Sequence, residues 1–309
     1  MGKWTFVAMA DIHIGSPRSY RYETSGIENW KTAKRMLMQI KPDLLLIAGD
    51  LTRDGNIHRF ELEEVKKELD SLPFPYLVVP GNMDTGNKHT DRDGSPQKGR
   101  MPDTQLNITS EQLKNFCEFF GPLYWTVVHK NVRFSGFCDM LCGSGLLEEE
   151  EFWRWVELQK KLPKAKFHIW IMHYALFIED INEANYDITD PDQYHCWYFG
   201  IDKPYRERLM ELFLSTNTTR VIMGHIHCRK HRKVKGIYFD HLPCLYSHPQ
   251  FTDHWKDGDG TPGFMKYQVE ENGIKGTFIP LEKIAIPKGY GPGGHPAPEL
   301  RDYSKAWGK

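Results

Sequence analysis

Five short clusters of the sequence carry aspartate, asparagine and histidine side chains that can bind metal ions. They are Asp11-Ile12-His13, Gly49-Asp50, Gly81-Asn82, His173 and Gly224-His225-Ile226-His227. Carboxylate and amide oxygens together with imidazole nitrogens form a mixed ligand set that suits first-row transition metals. Seven such side chains exceed what a single ion needs, so they predict two ions that share one carboxylate.

The spacing inside two of these clusters directs both of their ligands to one place. In an extended segment, residues i and i+2 lie on the same side of the backbone. Asp11 with His13, and His225 with His227, can therefore each bring two side chains to a common ion.

Each cluster follows a short apolar run that is typical of a buried β-strand. In the first part of the chain, the runs at Trp4–Ala10, Asp43–Ala48 and Tyr76–Val79 alternate with helical patterns at Asn29–Ile40 and Ile57–Leu69. This order predicts parallel strands joined by crossover helices. Because ligands bind at the carboxyl ends of the strands in such sheets, we expect the five clusters to converge there.

The rest of the chain continues the alternation and then changes character. The predicted strands are Trp125–Val128, Val132–Phe137, Phe167–Met172 and Arg220–Met223, and the predicted helices are Ser110–Phe120, Glu148–Leu162 and Asp202–Leu214. Short strand patterns between Lys233 and Pro280 predict an antiparallel part of the sheet system. Two insertions without periodicity lie near 83–108 and 175–200, where loops of this length are often functional. We expect one domain over 1–283 and a Pro/Gly-rich tail over 284–309.

Composition and charge restrict the classes of partner. The 309 residues include 40 basic and 41 acidic side chains, which give a net charge of −1. This balance argues against a surface built for nucleic acid or for an anionic membrane. The sequence has no apolar run of about 18 residues that predicts a membrane span, and no signal-peptide pattern. Six cysteines without a C-x-x-C pair favour a reducing compartment, so we expect a cytoplasmic protein; the sequence indicates no oligomeric state.

Taken in order, the motifs D-x-H, G-D, G-N, H and G-H-x-H resemble those of the calcineurin-like metallophosphoesterase superfamily. They extend from residue 11 to residue 227, about two-thirds of the chain. The resemblance implies an α/β fold, namely a four-layer α/β/β/α sandwich of two mixed β-sheets flanked by helices. It also implies two divalent metal ions as cofactors, a role that Mn, Fe, Zn or Co can fill.

The same resemblance implies a role for each ligand. The first ion is assigned to Asp11, His13 and His227, the second to Asn82, His173 and His225, and the bridging position to Asp50. Catalytic roles are implied for Asp50, Asn82 and His225. The implied reaction is an in-line attack on phosphorus by a hydroxide that bridges the two ions.

The third motif departs from the family pattern. It usually reads G-N-H-D or G-N-H-E, whereas this chain has Gly81-Asn82-Met83-Asp84. The missing histidine is the family's usual transition-state stabiliser and proton donor to the leaving group, and a thioether cannot give a proton. Loss of a general acid typically costs about 10²–10⁴-fold in rate. Asp84, His89 and His195 are candidates to replace it.

Four residues are candidates for contact with the substrate, and each has a structural alternative. Arg53 either binds a phosphate oxygen or is a solvated surface arginine. Met83 and Tyr174 either line the substrate pocket or pack in the core, and His195 lies in an aromatic stretch that either covers the metals or packs on itself. The basic run Arg229–Lys233 either attracts an anionic substrate or forms a charged hairpin facing water.

These features predict the hydrolysis of a small phosphodiester or an activated phosphate ester. The preference depends on Met83 and on Gly49–Gly55, which resembles the branch that contains cyclic-nucleotide-type phosphodiesterases and related cytosolic phosphatases. A phosphomonoesterase with a substitute acid, including a phosphoprotein phosphatase, is an alternative. The near-neutral charge disfavours a nuclease, and the complete ligand set disfavours a non-catalytic scaffold.

Overall fold

The structure, a computed structural model, describes residues 2–16, 19, 24–94, 102–246, 255 and 257–286. Its strands are β1 (Trp4–Met9), β2 (Leu44–Ala48), β3 (Tyr76–Val79), β4 (Tyr124–His129), β5 (Val132–Phe137), β6 (Phe167–Ile171), β7 (Arg220–Met223), β8 (Lys230–Val234), β9 (Ile237–His241), β10 (Gly263–Glu270) and β11 (Gly273–Pro280). Its helices are α1 (Thr24–Ile40), α2 (Arg59–Asp70), α3 (Asn82–Thr85), α4 (Ser110–Phe120), α5 (Leu147–Gln159), α6 (Tyr194–Phe199) and α7 (Tyr205–Ser215). None of these helices is both long and apolar enough to cross a membrane. Residues 95–101 and 287–309 lie outside the described ranges, so the domain boundary at residue 283 stays a prediction.

The strands form two mixed sheets. The first has the order β11-β10-β1-β2-β3, in which β1, β2 and β3 are parallel and β10 and β11 are antiparallel to their neighbours. The second has the order β4-β5-β6-β7-β9-β8, with parallel pairing from β5 to β9 and antiparallel pairing at both edges. The parallel pairing of β1, β2 and β3 confirms the prediction from the strand–helix alternation.

The central strands of both sheets are buried on both faces, so the molecule is built from layers of helices and sheets. On β1, Phe6 and Ala8 belong to an apolar cluster built from both sheets, whereas Val7 and Met9 pack in the cluster that contains the helices' inward side chains. Successive side chains of a strand point to opposite faces, so each sheet contacts the other sheet on one face and helices on the other. The predicted sandwich of two mixed sheets flanked by helices is therefore confirmed.

Helix α1 begins earlier than its apolar pattern predicts, and its first turn supports the loop after β1. It begins at Thr24, whereas the apolar spacing predicts a start at Asn29. The prediction is late because the buried residues Ser25 and Gly26 of the first turn are too small and polar to continue the apolar pattern. A Cβ added at Gly26 would lie 2.7 Å from the carbonyl oxygen of His13. Only glycine permits this close backbone approach.

The basic run Arg229–Lys233 lies mainly in β8, an edge strand of the second sheet. Arg229 pairs with Asp259 at 2.6 Å, and Lys230 pairs with Glu179 at 3.0 Å. Because acidic partners neutralise these charges, the structure favours the charged hairpin over a site that attracts anionic substrates.

Candidate metal centre

The seven predicted ligands follow strands of both sheets, and the structure brings all of them together. Those from the first sheet are Asp11 and His13 after β1, Asp50 after β2, and Asn82 after β3; those from the second are His173 after β6, and His225 and His227 after β7. Backbone hydrogen bonds join the loops that carry them. The N–H of Asp11 donates to the carbonyl oxygen of Gly49, and that of Gly224 to the carbonyl oxygen of His173, both at 3.0 Å.

Asp11, His13, Asp50 and His227 form a first group, whose ligand atoms lie within 4.8 Å of one another. His227 Nε2 is 3.3 Å from Asp11 Oδ1 and 3.2 Å from His13 Nε2. His13 Nε2 is 3.7 Å from Asp50 Oδ2. The sulfur of Cys244 lies within 4.8 Å of ligand nitrogens of both histidines, a proximity that no motif in the sequence indicates.

Asp50, His173 and His225 form a second group under the same distance limit. His173 Nε2 is 3.3 Å from Asp50 Oδ1 and 3.1 Å from Asn82 Oδ1. Asp50 thus belongs to both groups, and its two carboxylate oxygens face different histidines. This arrangement suits the bridging position that the family resemblance implies for Asp50.

Backbone carbonyl groups determine which ring nitrogen of three histidines faces the centre. Nδ1 of His173 and Nδ1 of His13 donate to carbonyl oxygens at 2.8 and 3.3 Å, and Nε2 of His225 donates to the carbonyl oxygen of Tyr198 at 3.2 Å. A carbonyl oxygen can only accept, so these nitrogens carry the hydrogen, and in the neutral ring the other nitrogen presents a lone pair. Outer hydrogen bonds of this kind orient metal-binding histidines.

Two side chains orient the amide of Asn82. Its Nδ2 donates to Asn87 Oδ1 at 2.9 Å and to the hydroxyl oxygen of Tyr198 at 3.2 Å. The amide oxygen is thereby directed towards His173. No pattern in the sequence points to Asn87 or Tyr198, because they lie in the insertions near 83–108 and 175–200, where no periodicity assigns a role to individual residues.

The donor set fits cations. Carboxylate oxygens, an amide oxygen and imidazole lone pairs converge at 3.1–3.7 Å in a site that is almost completely buried. Such acceptor atoms repel one another unless a proton or a metal ion lies between them. Two groups that share Asp50 therefore fit two divalent ions, and their oxygen and nitrogen atoms suit Mn, Fe, Co or Zn.

The pKa values of two histidines of the second group shift in opposite directions. Burial by itself lowers the pKa of His173, but the carboxylates of Asp50, Asp11 and Asp139 outweigh it and raise that pKa to about 10. Burial and the neighbouring His173 bring the pKa of His225 well below its usual value. The carboxylates thus stabilise positive charge on the His173 ring, a charge distribution that also suits a bound cation.

Five of the seven predicted ligands have backbone φ angles in the left-handed region, which is unusual outside glycine. The φ values are +53° at Asp11, +45° at His13, +51° at Asp50, +69° at His225 and +56° at His227. Such conformations cost on the order of 1 kcal/mol or more each and cluster at functional sites. Here they turn the ligand side chains towards the centre.

Asp84 binds the backbone of the loops that carry the predicted ligands. Its fully buried carboxylate accepts hydrogen bonds from the backbone N–H groups of Leu51, Thr52 and Gly81 at 3.1, 2.9 and 2.8 Å. Burial, followed by the charge of Asp50, raises its pKa to about 6. Because these bonds tie the loops after β2 and β3 together, the geometry favours a structural role over the predicted role of proton donor.

Asp139, like Asp84, is a buried carboxylate that supports the site, and no motif in the sequence points to it. Its Oδ1 accepts from the backbone N–H of His173 at 3.3 Å, and its Oδ2 from that of Tyr174 at 2.6 Å. Asp139 comes shortly after β5, in the same place relative to a strand as the ligand clusters. That position could have indicated a residue of the site, but a single aspartate without a second metal-binding residue beside it forms no recognisable motif.

Arg53 and Met83, both predicted to contact substrate, lie near different groups of the centre. The buried guanidinium of Arg53 lies 4.9 Å from the centre of the Tyr246 ring, and that ring lies edge-on to His13 of the first group. Met83 Sδ is 3.5 Å from Asn82 Nδ2, beside the second group.

Tyr174 and His195 differ in their distance from the ligands. The fully buried ring of Tyr174 packs 4.0 Å from that of His225, which favours its interpretation as a core residue. His195 lies in α6 and stacks on Phe199, with 6.3 Å between ring centres. It is Tyr198 of the same helix whose hydroxyl reaches the second group.

A cavity of about 570 Å³ lies between the two insertions. Its lining includes His89, Arg92, Asp187, Ile188, Trp197 and Asp202. The structure thus places His89, a predicted substitute acid, in the wall of this cavity. Because Trp197 directly precedes Tyr198, the cavity adjoins the helix that covers the second group.

Comparison with known proteins adds independent information. A family model described as calcineurin-like phosphoesterase matches residues 5–229. The serine/threonine-protein phosphatase CPPED1 of Danio rerio is 24% identical over 306 residues, which cover 92% of this chain and 87% of that protein. The probable glycerophosphodiester phosphodiesterase GpdQ of Arcobacter nitrofigilis is 24% identical over 232 residues, which cover 72% of this chain and 71% of that protein.

Among solved structures, the purple acid phosphatase PPD1 from yellow lupin (Lupinus luteus) superposes with a TM-score of 0.59 at 10% identity. The superposition covers 92% of this chain and 52% of the lupin protein, so the chain spans about half the length of that relative. At this level of identity, the likeness supports the fold alone.

Proposed function

Because the chain belongs to the calcineurin-like phosphoesterase family, we propose that it is a dinuclear metal-dependent phosphoesterase that hydrolyses a small phosphodiester or an activated phosphate ester. The observation that carries the proposal is the carboxylate of Asp50, whose two oxygens face two groups of converging ligand atoms. We assign Asp11, His13 and His227 to the first ion, Asn82, His173 and His225 to the second, and Asp50 to both.

The residues of the chain hold this centre in shape. When bound, two divalent ions activate water for attack on phosphorus and neutralise the charge that builds up on the phosphate. Asp50 joins the two groups, and Asn82 is held in orientation by Asn87 and Tyr198. The buried setting excludes bulk water, which strengthens each charge interaction in the site.

The preference for a diester rests on Met83. A phosphate monoester carries a further charged oxygen, which needs a hydrogen-bond donor or a positive charge, and a thioether provides neither. In a diester that oxygen is esterified, so an apolar neighbour beside Asn82 is acceptable. The relative from Arcobacter nitrofigilis, named as a probable glycerophosphodiester phosphodiesterase, supports the same class of substrate.

A paired rate assay tests the proposal. Protein loaded with Mn²⁺ is assayed on bis(p-nitrophenyl) phosphate and on p-nitrophenyl phosphate, with Asp50→Asn as the blank. We expect the diester to react faster, and Asp50→Asn to lose both turnover and bound metal, because the bridging carboxylate is gone. An Asp50→Asn protein that keeps its full metal content and turnover would contradict the bridging assignment.

A phosphomonoesterase, including a phosphoprotein phosphatase, is the second candidate. The relative from Danio rerio supports it, because that protein is named a serine/threonine-protein phosphatase and aligns over 92% of this chain. Faster turnover of p-nitrophenyl phosphate than of the diester would favour it. Tight metal binding without turnover of any ester would favour a scaffold, and salt-dependent binding of oligonucleotides would favour a nuclease.

The finer assignments belong to the same proposal. We infer Mn, Fe, Zn or Co as the metal, since the oxygen and nitrogen donors suit all four. A small phosphate ester is the proposed partner, and the cytoplasm is the proposed compartment. The six cysteines are free thiols, which supports a reducing environment.

A further inference from the structure

The two hydrogen bonds that orient the amide of Asn82 come from two different insertions. In the proposed function, on which this inference rests, Asn82 is a ligand of the second ion. Asn87, whose Oδ1 accepts from Asn82 Nδ2 at 2.9 Å, lies in the insertion near 83–108. Tyr198, whose hydroxyl oxygen accepts from the same nitrogen at 3.2 Å, lies in the insertion near 175–200. The orientation of Asn82 therefore depends on how the two insertions are placed relative to each other.

Lys88 directly follows Asn87 and joins the first insertion to the end of the second. Its Nζ donates to the carbonyl oxygen of Gly200 at 2.8 Å and to Asp202 Oδ2 at 2.9 Å. The same ammonium lies 4.6 Å from the centre of the Trp197 ring. Lys88 is only 5% exposed, so its positive charge is buried at the junction of the two insertions.

Helix α6 depends on contacts of this kind for its position, because it has only six residues. A helix this short is unstable by itself. Gly200 is its C-cap, and the carbonyl groups at the C-terminus of a helix lack donors within the helix. The ammonium of Lys88 supplies one donor there, and a cation interacts favourably with this end of the helix dipole. The indole face of Trp197 adds a cation–π contact.

The end of α6 that Lys88 binds is also the end that contacts the second group. Besides the bond from Asn82, the backbone carbonyl oxygen of Tyr198 accepts from His225 Nε2 at 3.2 Å. At the start of the helix, by contrast, the hydroxyl of Tyr194 donates to Asp103 Oδ1 of the first insertion at 2.9 Å. A shift of the C-terminal end would therefore alter the contacts of two assigned ligands of the second ion.

The burial of an ammonium group distinguishes this junction from ordinary packing. Removal of a charge from water costs free energy, which an ion pair offsets only when its geometry is good and further hydrogen bonds are made. Burial lowers the pKa of Lys88, and the charge of Asp202 opposes that effect. An apolar side chain would fill the same space without this cost, but it would not fix the carbonyl group of Gly200. The directional bonds thus suit a positioning role.

We propose that Lys88 is a positioning residue for the second ion, and that it holds the C-terminal end of α6 against Asn82 and His225. It acts through Gly200 and Asp202 rather than through the reacting atoms. The affinity for the second ion therefore depends on a charged residue outside the ligand set.

Lys88→Met tests this role, because methionine has a long side chain but neither a positive charge nor a donor. We expect the Mn²⁺ concentration for half-maximal turnover of bis(p-nitrophenyl) phosphate to rise about 10-fold, the lower end of the usual cost of losing an outer contact. Turnover should recover at saturating Mn²⁺, since the ligands themselves are unchanged. In metal-free protein, hydrogen exchange over residues 194–200 should be faster than in the wild type, because α6 is held less firmly.

Lys230→Met is the matched control at the other end of the same insertion. Lys230 is also buried, and its Nζ donates to the carbonyl oxygen of Ile178 at 3.3 Å and to Glu179 Oε1 at 3.0 Å. It thus has the same kinds of partner as Lys88, but these partners lie at the start of the insertion rather than at the end of α6. The Mn²⁺ requirement and the exchange over residues 194–200 should stay at their wild-type values.

Asp202→Ala removes the half-exposed partner of Lys88 and decides the question if Lys88→Met does not fold. It should shift the Mn²⁺ requirement and the exchange in the same direction. An unchanged Mn²⁺ requirement or unchanged exchange, turnover that stays low at saturating Mn²⁺, or an equal shift in Lys230→Met would overturn the proposal. A wild-type protein that binds no Mn²⁺ would instead refute the proposed function, while the exchange data would still show whether Lys88 holds α6.

Discussion

At the scale of single residues, the orientation of Asn82 depends on a neighbour outside the ligand set. Asn87 Oδ1 accepts from Asn82 Nδ2 at 2.9 Å, so Asn87→Ala removes the shorter of the two hydrogen bonds that hold the amide oxygen towards His173. We expect the affinity for the second ion to fall by roughly 10–100-fold, the usual cost of losing such an outer contact. The first ion should bind as before. Isothermal titration of the metal-free protein with Mn²⁺ resolves the two steps.

Asn87→Asp provides the matched control, because it keeps an oxygen acceptor at the same place. The backbone bonds of Asn87 to Leu106 and Ile108 are available in both variants, so the loop has the same support. Metal affinity should recover in Asn87→Asp. Equal weakening by both substitutions, or a loss that affects both ions alike, would contradict the role assigned to this side chain.

The contrast between the converging residues and their neighbours shows what the sequence can predict at this scale. Asp11 and His13, like His225 and His227, are two residues apart and directly follow an apolar run. Such local patterns can be recognised in the sequence. Tyr198 contacts Asn82 across 116 residues of sequence. No local pattern carries that information, because the contact exists only once the insertion near 175–200 has folded over the end of β3.

At the scale of elements, β6 carries a buried histidine that makes stability depend on pH. His168 Nδ1 donates to the carbonyl oxygen of Thr216 at 3.1 Å, and Nε2 accepts from the hydroxyl of Ser135 at 2.9 Å. Burial lowers the pKa of His168 from 6.5 to about 4. Between these two values the unfolded chain binds a proton that the folded chain does not, so the free energy of unfolding falls as the pH decreases through this window.

Between pH 7 and pH 5, we expect protonation of His168 on unfolding to lower the free energy of unfolding by at most about 2 kcal/mol. Urea unfolding of the metal-free wild type and of His168→Gln at both pH values measures it. Glutamine is neutral and retains hydrogen-bonding groups, and all other titrating residues are shared, so the difference between the two losses isolates His168. Identical pH dependence in the two proteins would contradict the assignment.

The elements also differ in how far their sequence determines them. Strands β3, β5 and β7 and helix α4 have the predicted bounds, because each has a clear apolar pattern between turn signals. Helix α6 has six residues, too few for a helical period to appear. Strand β8 begins at Lys230, earlier than predicted. Its residues pair with β9, but its basic side chains do not show the apolar alternation by which a strand is predicted.

At the scale of the whole molecule, the candidate centre joins the two sheets. The loops of the first sheet carry Asp11, His13, Asp50 and Asn82, and the loops of the second carry His173, His225 and His227. Strand periodicity predicts parallel strands and buried faces, but it does not specify which sheet packs on which. The family resemblance supplied that relation, and the apolar cluster shared by both sheets is its physical basis.

Because both sheets contribute ligands, metal binding should stabilise the fold as well as supply chemistry. An ion that binds only the folded chain adds RT ln(1 + [L]/Kd), or about 2.7 kcal/mol at 100 times Kd. Without ions, the buried carboxylates of Asp11 and Asp50 lack that compensating charge. We therefore expect the Tm of chelator-treated protein to rise steadily with the logarithm of Mn²⁺ concentration, and to rise less in Asp50→Asn, which loses the shared ligand. A thermal melt series over Mn²⁺ concentration measures both. A Tm that does not change with Mn²⁺ concentration, or an equal rise of Tm in Asp50→Asn, would mean that the ions do not hold the two sheets together through Asp50.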